Sequence, residues 1–219
     1  MIVAIDGPAG VGKSTVAKLL ASKLGYLYLD TGALYRSVAW AVLKNGLNPG
    51  DTDAVSKLLP RLSLQMQVKH NTAVVLVNGK DVTGELRAPE VSAAASVVSA
   101  IPAVRAWLLP VQREIGEKGS VVAEGRDIGT KVFPSAAAKF FLEADPTIRA
   151  QRRHRELVAA GHGRGIEETS TEMAGRDDRD RSRTVAPLVP AEDAHHIDTS
   201  RLSAEEVVKQ MLAVVTAKL

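Results

Sequence analysis

Residues 7–15, Gly7-Pro8-Ala9-Gly10-Val11-Gly12-Lys13-Ser14-Thr15, restrict the chain more than any other segment. Two glycines five apart, the second followed by Lys and Ser, form the pattern of a loop that wraps a polyphosphate. Such a loop turns its backbone N–H groups inward and lets them approach the anion closely, which calls for glycine's open dihedrals and missing side chain. The flanks agree. Ile2 to Asp6 reads as a short strand, and the apolar spacing from about Lys13 to Leu24, stopped by Gly25, predicts a helix. That helix points its N-terminal dipole at the anion, Lys13 reaches the β- and γ-phosphates, and Ser14 offers a hydroxyl to magnesium. A glycine-rich turn with an incidental lysine would need neither the strand nor the helix.

The rest of the chain alternates strands and helices, so an α/β class is expected, and 219 residues suit one principal core. A strand over Tyr26 to Asp30 leads to a helix over 33–45. Strict alternation from Leu62 to Val68, a second run from Ala73 to Val77 and the turn dipeptide Asn78-Gly79 predict a small antiparallel insert. A helix over Pro89 to Ala100 follows, and Pro102 opens another that runs, bent at Pro110, to Lys118. Val121 to Glu124 and Lys139 to Leu142 read as strands, Asp145-Pro146 as a helix start, and Ser203 with Glu206 as a capping box. No apolar run approaches 18 residues and there is no cysteine, which favours a cytoplasmic, reducing setting without disulfides or thiolate metal sites. The five histidines lack a metal-ligand spacing. Adjacent His195 and His196 would face opposite sides of a strand. A net charge of +3 gives no reason to expect a nucleic acid polymer or a membrane as partner.

The charge is unevenly placed. Between Asp145 and Arg183 stand nine arginines, Arg149, Arg152, Arg153, Arg155, Arg164, Arg176, Arg179, Arg181 and Arg183, and no lysine. The guanidinium fork suits phosphate oxygens and the charge of a transferring phosphoryl group, whereas a merely solvated face would use either cation. Eight acidic residues share the stretch, so a salt-bridged helix surface is the competing reading for any single arginine. Gly161, Gly163 and Gly165 separate two arginine-rich halves, as in a flap that closes over phosphates and excludes water.

Four segments in order, Gly7 to Thr15, Leu29-Asp30-Thr31-Gly32-Ala33-Leu34-Tyr35-Arg36, Gly125-Arg126-Asp127-Ile128-Gly129-Thr130 and Arg176-Asp177-Asp178-Arg179-Asp180-Arg181, followed by Val185-Ala186-Pro187-Leu188, resemble bacterial cytidylate kinases end to end. The resemblance implies a P-loop kinase fold: a parallel five-stranded sheet flanked by helices, a small antiparallel CMP-binding insert with helices, and an arginine-rich lid. It implies a single domain over 1–219, with a core of about 1–60, 119–148 and 184–219, an insert of about 61–118 and a lid of about 149–183. The implied activity is ATP- and magnesium-dependent phosphorylation of CMP and dCMP, by a monomer. Carried over by motif, Thr31 and Arg36 lie at the acceptor nucleotide, Ser96 and Arg105 at its base, and Arg126 and Asp127 at phosphate and base. Arg176, Asp180 and Arg183 complete that pocket. Lys13, Arg126, Arg153 and Arg179 are the candidates for neutralising charge during transfer.

The residues by themselves leave some of this open. Ser96 also reads as a small helix-packing residue and Arg105 as an exposed helix charge. Arg126 and Asp127 follow a strand, at the end where open α/β sheets bind ligands. Asp6 and Asp30 end strands beside the phosphate loop, and each either holds magnesium-bound water or caps a turn. Glu124 stands where the family often has aspartate, and is a weaker candidate for the same water. The Asn-Lys-x-Asp segment that reads guanine in regulatory GTPases is absent. The competing functions are a kinase of another small acceptor such as UMP, and a nucleotide-binding module without turnover.

Overall fold

The computed structural model describes residues 1–69, 72–117, 119–163 and 165–218, apart from the side chains of residues 68, 69, 72 and 73. Lys118, the expected end of a helix, and Arg164, one of the clustered arginines, therefore lie outside the described residues. In chain order the elements are β1 (Ile2–Asp6), α1 (Lys13–Leu24), β2 (Leu27–Asp30), α2 (Thr31–Lys44), α3 (Thr52–Leu58), β3 (Leu64–Lys69), β4 (Thr72–Val77) and β5 (Lys80–Asp81). There follow α4 (Pro89–Val98), α5 (Pro102–Glu117), β6 (Val121–Glu124), β7 (Ala138–Glu143), α6 (Pro146–Ala159), α7 (Ile166–Ser182), β8 (His195–Asp198) and α8 (Ala204–Thr216). A 3-10 turn covers Leu59–Arg61 and a π-helical turn Ile128–Val132. The chain forms two compact units, Met1–Leu29 with Arg113–Leu219, and Asp30–Gln112.

The first unit is built on a five-stranded parallel sheet in the order β2-β6-β1-β7-β8. Its central strands are nearly all apolar, as strands covered on both faces must be. Val3, Ala4 and Ile5 lie beside Val122, Ala123 and Glu124 on one side, and Ala4 and Ile5 beside Lys139 and Phe140 on the other. Val3, Ile5, Val122, Phe140 and Leu142 form one cluster with Val16 and Leu20 of α1 and Val208, Met211 and Val215 of α8. Each such side chain, fully buried, contributes about 1.5–3 kcal/mol. His195 and His196 lie against the rings of Phe140 and Phe141, at 5.7 and 5.6 Å between ring centres. Capping fixes where the helices begin. Asp145 accepts from the Thr147 and Ile148 amides ahead of α6, and Ser203 and Glu206 close the expected capping box of α8. Parallel pairing sends the segments after β1, β6, β7 and β8 out along one edge of the sheet.

The second unit takes in α2 and α3 with the insert expected at about 61–118 only as far as Gln112, and α2 packs on α4 and β4. Asp30 caps α2 through the Ala33 amide at 2.9 Å. α3 has too few residues for a periodic signal, and Asp51 starts it by accepting from the Ala54 amide. The antiparallel sheet has three strands in the order β3-β4-β5. Asn78 and Gly79, both at positive φ (50° and 78°), make the tight turn from β4 into β5, so that Val77 pairs with both Leu64 and Lys80. α5 continues through Pro110, although a proline there removes one helical hydrogen bond. Among the described residues no single helix is long and apolar enough to cross a membrane.

Gly7, where β1 gives way to the phosphate loop, has φ of +147°, and a Cβ placed on it would stand 2.3 Å from the Leu142 carbonyl oxygen. Gly7→Ala should therefore lower the urea midpoint by the equivalent of about 1–3 kcal/mol, the range for overpacking. Gly25→Ala, strained at φ +68° but in open space, should cost about 1 kcal/mol or less. Equal midpoints for the two variants would mean that β1 and β7 can separate to admit the methyl group.

Candidate active site

The phosphate loop leaves β1 at Gly7 and ends at Gly12, whose φ of 89° caps α1 without a side chain. The first amides of α1 thus point outward unpaired within the helix, with the positive end of its dipole behind them. Lys13, the first helical residue, is buried, and its Nζ donates to the Pro8 carbonyl at 2.6 Å. Burial first, and then repulsion from Arg126 and Arg176, pushes its pKa down to about 7, although Glu124 and Asp6 work the other way. Ser14 and Thr15 are exposed on the first turn.

Two carboxylates end adjacent strands nearby. Asp6 accepts from the Ile128 and Gly129 amides, each at 2.8 Å, and so caps the π-helical turn that follows β6. Burial raises its pKa to about 6 even though those two hydrogen bonds lower it. Glu124 is likewise buried and accepts from the Tyr28 hydroxyl at 2.6 Å. The turn that Asp6 caps is thus the one after β6, not the turn directly after β1 that its place in the sequence suggests. Its carboxylate lone pairs beyond those two bonds, like those of Glu124, suit water held by a hard cation.

Arginines of the segment after β6 and of α7 converge on Asp180. Arg126 Nε donates to Asp180 Oδ2 at 2.8 Å, and Arg183 approaches Asp180 Oδ1 at 3.4 Å and Asp127 Oδ1 at 3.7 Å. Burial works to raise the Asp180 pKa, but Arg126, then Arg176 and Arg183, hold it below the ordinary aspartate value. Helical spacing explains the grouping: Thr169, Met173, Asp177 and Asp180 form the buried stripe of α7. Ala186, at a φ of 52° unusual for alanine, turns its carbonyl to accept from Arg183 Nε. The cluster therefore sets partly buried guanidinium groups, aimed by carboxylates, at the end of the sheet, an arrangement suited to a polyanion.

In the second unit, Asp30 pairs with Arg36 NH2 at 2.7 Å besides capping α2, so both of its oxygens are engaged. Arg36 Nε is buried without a hydrogen-bond partner, a costly state that an anionic ligand would relieve. Thr31 and Ser96 are buried on α2 and α4. Arg105 is buried rather than an exposed helix charge: its guanidinium lies 5.3 Å from the centre of the Tyr35 ring and donates to the Ser99 carbonyl at 3.1 Å.

Two candidates stand apart from the groups above: Arg153, half-buried between the inward positions Arg149 and Leu157 of α6, pairs with Glu156 at 3.1 Å, and Arg179 is exposed on α7. Conversely, Tyr28, Tyr35, Arg149, Asp177 and Thr199 hold functional groups in place although none carries a role by motif, Tyr35 and Asp177 lying within quoted segments and Tyr28 and Thr199 outside them. Asp177 carried a signal nonetheless, because it falls on the inward stripe with Met173, where an unpaired carboxylate would be costly.

The chain matches the family model described as Cytidylate kinase over residues 3–217. It is 47% identical over 218 residues to a cytidylate kinase from Carboxydothermus hydrogenoformans, covering 100% of this chain and 98% of that one. It is 46% identical to a cytidylate kinase from Syntrophotalea carbinolica, covering 100% and 93%. Among solved structures, an uncharacterized protein from Eubacterium ventriosum aligns over 99% of both chains with a TM-score of 0.55 at 12% identity, a likeness of fold alone. With the family matched from the first strand to the last helix and relatives this similar along their whole length, the chain belongs to the cytidylate kinase family.

Proposed function

We propose that this chain transfers the γ-phosphoryl group of ATP to the phosphate of CMP or dCMP. The observation that carries the reading is the largely shielded cationic group of buried Lys13 and partly buried Arg126, Arg176 and Arg183 gathered beside a phosphate loop. The amides at the start of α1 and Lys13 bind the ATP phosphates, and Arg126, Arg176 and Arg183 neutralise charge as it shifts toward the leaving group. The acceptor is already an anionic oxygen at neutral pH, so no protein base is needed and alignment carries the rate. In the second unit, Thr31 and Arg36 are assigned to acceptor binding, and Ser96 and Arg105 to the base. Cytosine offers an amino donor that a hydroxyl accepts and ring acceptors that a guanidinium serves, whereas uracil reverses the pattern.

Magnesium fits the residues present. Ser14 would hold it, with Asp6 and Glu124 acting through water; among the described residues no group of three or more His, Asp or Glu is set for a metal, so the phosphates themselves would be its main ligands. When bound, it supplies positive charge to the β- and γ-phosphates.

Lys13→Met should lower kcat by about 10²- to 10³-fold, the scale for losing a preorganised charge at the reacting group. Its effect on stability should be opposite in sense. A lysine whose pKa falls from 10.5 to about 7 on folding costs stability in full below pH 7, and the cost fades as pH rises toward 10.5. The melting temperature of Lys13→Met should thus exceed that of the wild type most at pH 6 and least at pH 9. Near-normal turnover by this variant would remove the phosphate-loop mechanism.

Arg105→Met should raise the KM for CMP by roughly ten- to a hundredfold and narrow the preference for CMP over UMP, because removing a reader also removes the penalty of leaving it unpaired. An equal loss with both acceptors would assign cytosine reading elsewhere. Assays of UMP, AMP and dTMP alongside CMP separate this activity from that of a kinase for another acceptor.

A further inference from the structure

The peptide groups of the phosphate loop are gripped by side chains outside the loop. Ala9 donates its N–H to Asp177 Oδ1 at 3.4 Å, and its carbonyl accepts from Arg149 NH1 at 3.1 Å. The same guanidinium closes an ion pair with Asp177 Oδ2 at 2.5 Å, and Arg149 Nε donates to the Ala144 carbonyl at the exit of β7. Two residues on, the Val11 carbonyl accepts from the Thr199 hydroxyl at 3.0 Å. Arg152 in turn holds Thr199 through its Oγ1 at 3.0 Å and its carbonyl at 2.6 Å. Arg149, Asp177 and Thr199 are all buried. Between the two gripped peptides, Gly10 presses on α6 and α7 so closely that a Cβ there would stand 2.8 Å from Met173 Cε and 2.9 Å from the Arg149 carbonyl oxygen.

Stability alone is a poor reason for this arrangement. A buried ion pair between two helices is seldom better for stability than a well-packed apolar pair. What the polar version adds is direction: one carboxylate and one guanidinium fix the two peptide groups on either side of the Ala9 Cα, and one hydroxyl fixes the Val11 carbonyl. A peptide group held on its carbonyl side presents its remaining faces in a set orientation, and amides aimed in advance bind an oxyanion without reorganising. The grip comes from α6, from α7 and from the residue after β8, so the loop's shape depends on where those elements lie.

We propose that Arg149, Asp177 and Thr199 are positioning residues for phosphoryl transfer, holding peptides 9 and 11 so that the loop is shaped for the ATP phosphates only while α6 and α7 are docked on it. This rests on the assignment of Gly7–Thr15 to ATP. The Ala9 N–H is accordingly a structural tie, and ATP is bound by the loop's other amides.

Steady-state kinetics with ATP and CMP varied separately test it on Thr199→Val, which keeps the shape and loses the hydroxyl, Thr199→Ser, which keeps the hydroxyl, Asp177→Asn and Arg149→Lys. Thr199→Val, Asp177→Asn and Arg149→Lys should raise the KM for ATP by roughly five- to thirtyfold, the range of one lost buried hydrogen bond, and leave the KM for CMP within about twofold. Thr199→Ser should be close to wild type. Thr199→Ser as impaired as Thr199→Val, equal rises in both KM values, or a lowered melting temperature with unchanged kinetics would each overturn the proposal. Lys13→Met, assayed alongside, separates the two levels of the argument. If it destroys turnover while the other variants match the wild type, only the positioning role fails; if it is itself active, the ATP assignment fails and takes the positioning role with it.

Discussion

Lys13, Arg126, Arg176 and Arg183 are close enough for their charges to act on shared neighbours, in surroundings that exclude most water. Unrelieved, such a group would repel itself and unfold the edge that carries it. Relief comes from carboxylates set among the cations: Asp180 between Arg126 and Arg183, Asp127 against Arg183, and Glu124 and Asp6 beside Lys13. Much of the first unit follows from that requirement. The strands run parallel, so that Asp6, Glu124 and the segment after β6 emerge along one edge, and α7 gives two positions of its inward stripe to aspartate.

Sequence reasoning located the parts of this arrangement that depend on local chemistry. β1, α1 and the caps at Asp145 and Ser203 stand where apolar period, glycine and capping residues place them. The Asn78-Gly79 turn was legible for the same reason, since both residues tolerate positive φ. Elements set by tertiary contact were less visible. α3 has only seven residues, and the π-helical turn after Asp127 is shaped by Asp6, more than a hundred residues earlier in the chain.

The site divides in the same way. The phosphate loop and the arginine-rich stretch declare themselves by composition, and motif order supplies the family. Burial is what spacing does not reveal. Arg105 reads as a surface charge until Tyr35 and the Ser99 carbonyl are seen to hold it, while Arg153, on the same side of α6 as Arg149, pairs with exposed Glu156 rather than with a buried carboxylate. Arg149 was one arginine among nine; its difference from Arg153, one helical turn on, lies in the carbonyls of Ala9 and Ala144 and the carboxylate of Asp177.

Asp6 and Lys13 share a property that bears on how such a chain can change over generations. An acid whose pKa rises on folding disfavours the native state increasingly as pH climbs past 3.8 and in full above the raised value, near 6, and a lysine whose pKa falls does so increasingly below 10.5 and in full below about 7. Close to neutrality both penalties act together, at the end of the first strand and the start of the first helix. Random substitution that selects only for thermal tolerance would therefore discard these two residues early. Their persistence in a working lineage requires surplus stability elsewhere, which the Val, Ile, Leu and Phe cluster between the sheet, α1 and α8 supplies. Mutations that thin that cluster would restrict the lineage's tolerance of change at the catalytic edge well before they unfolded the protein.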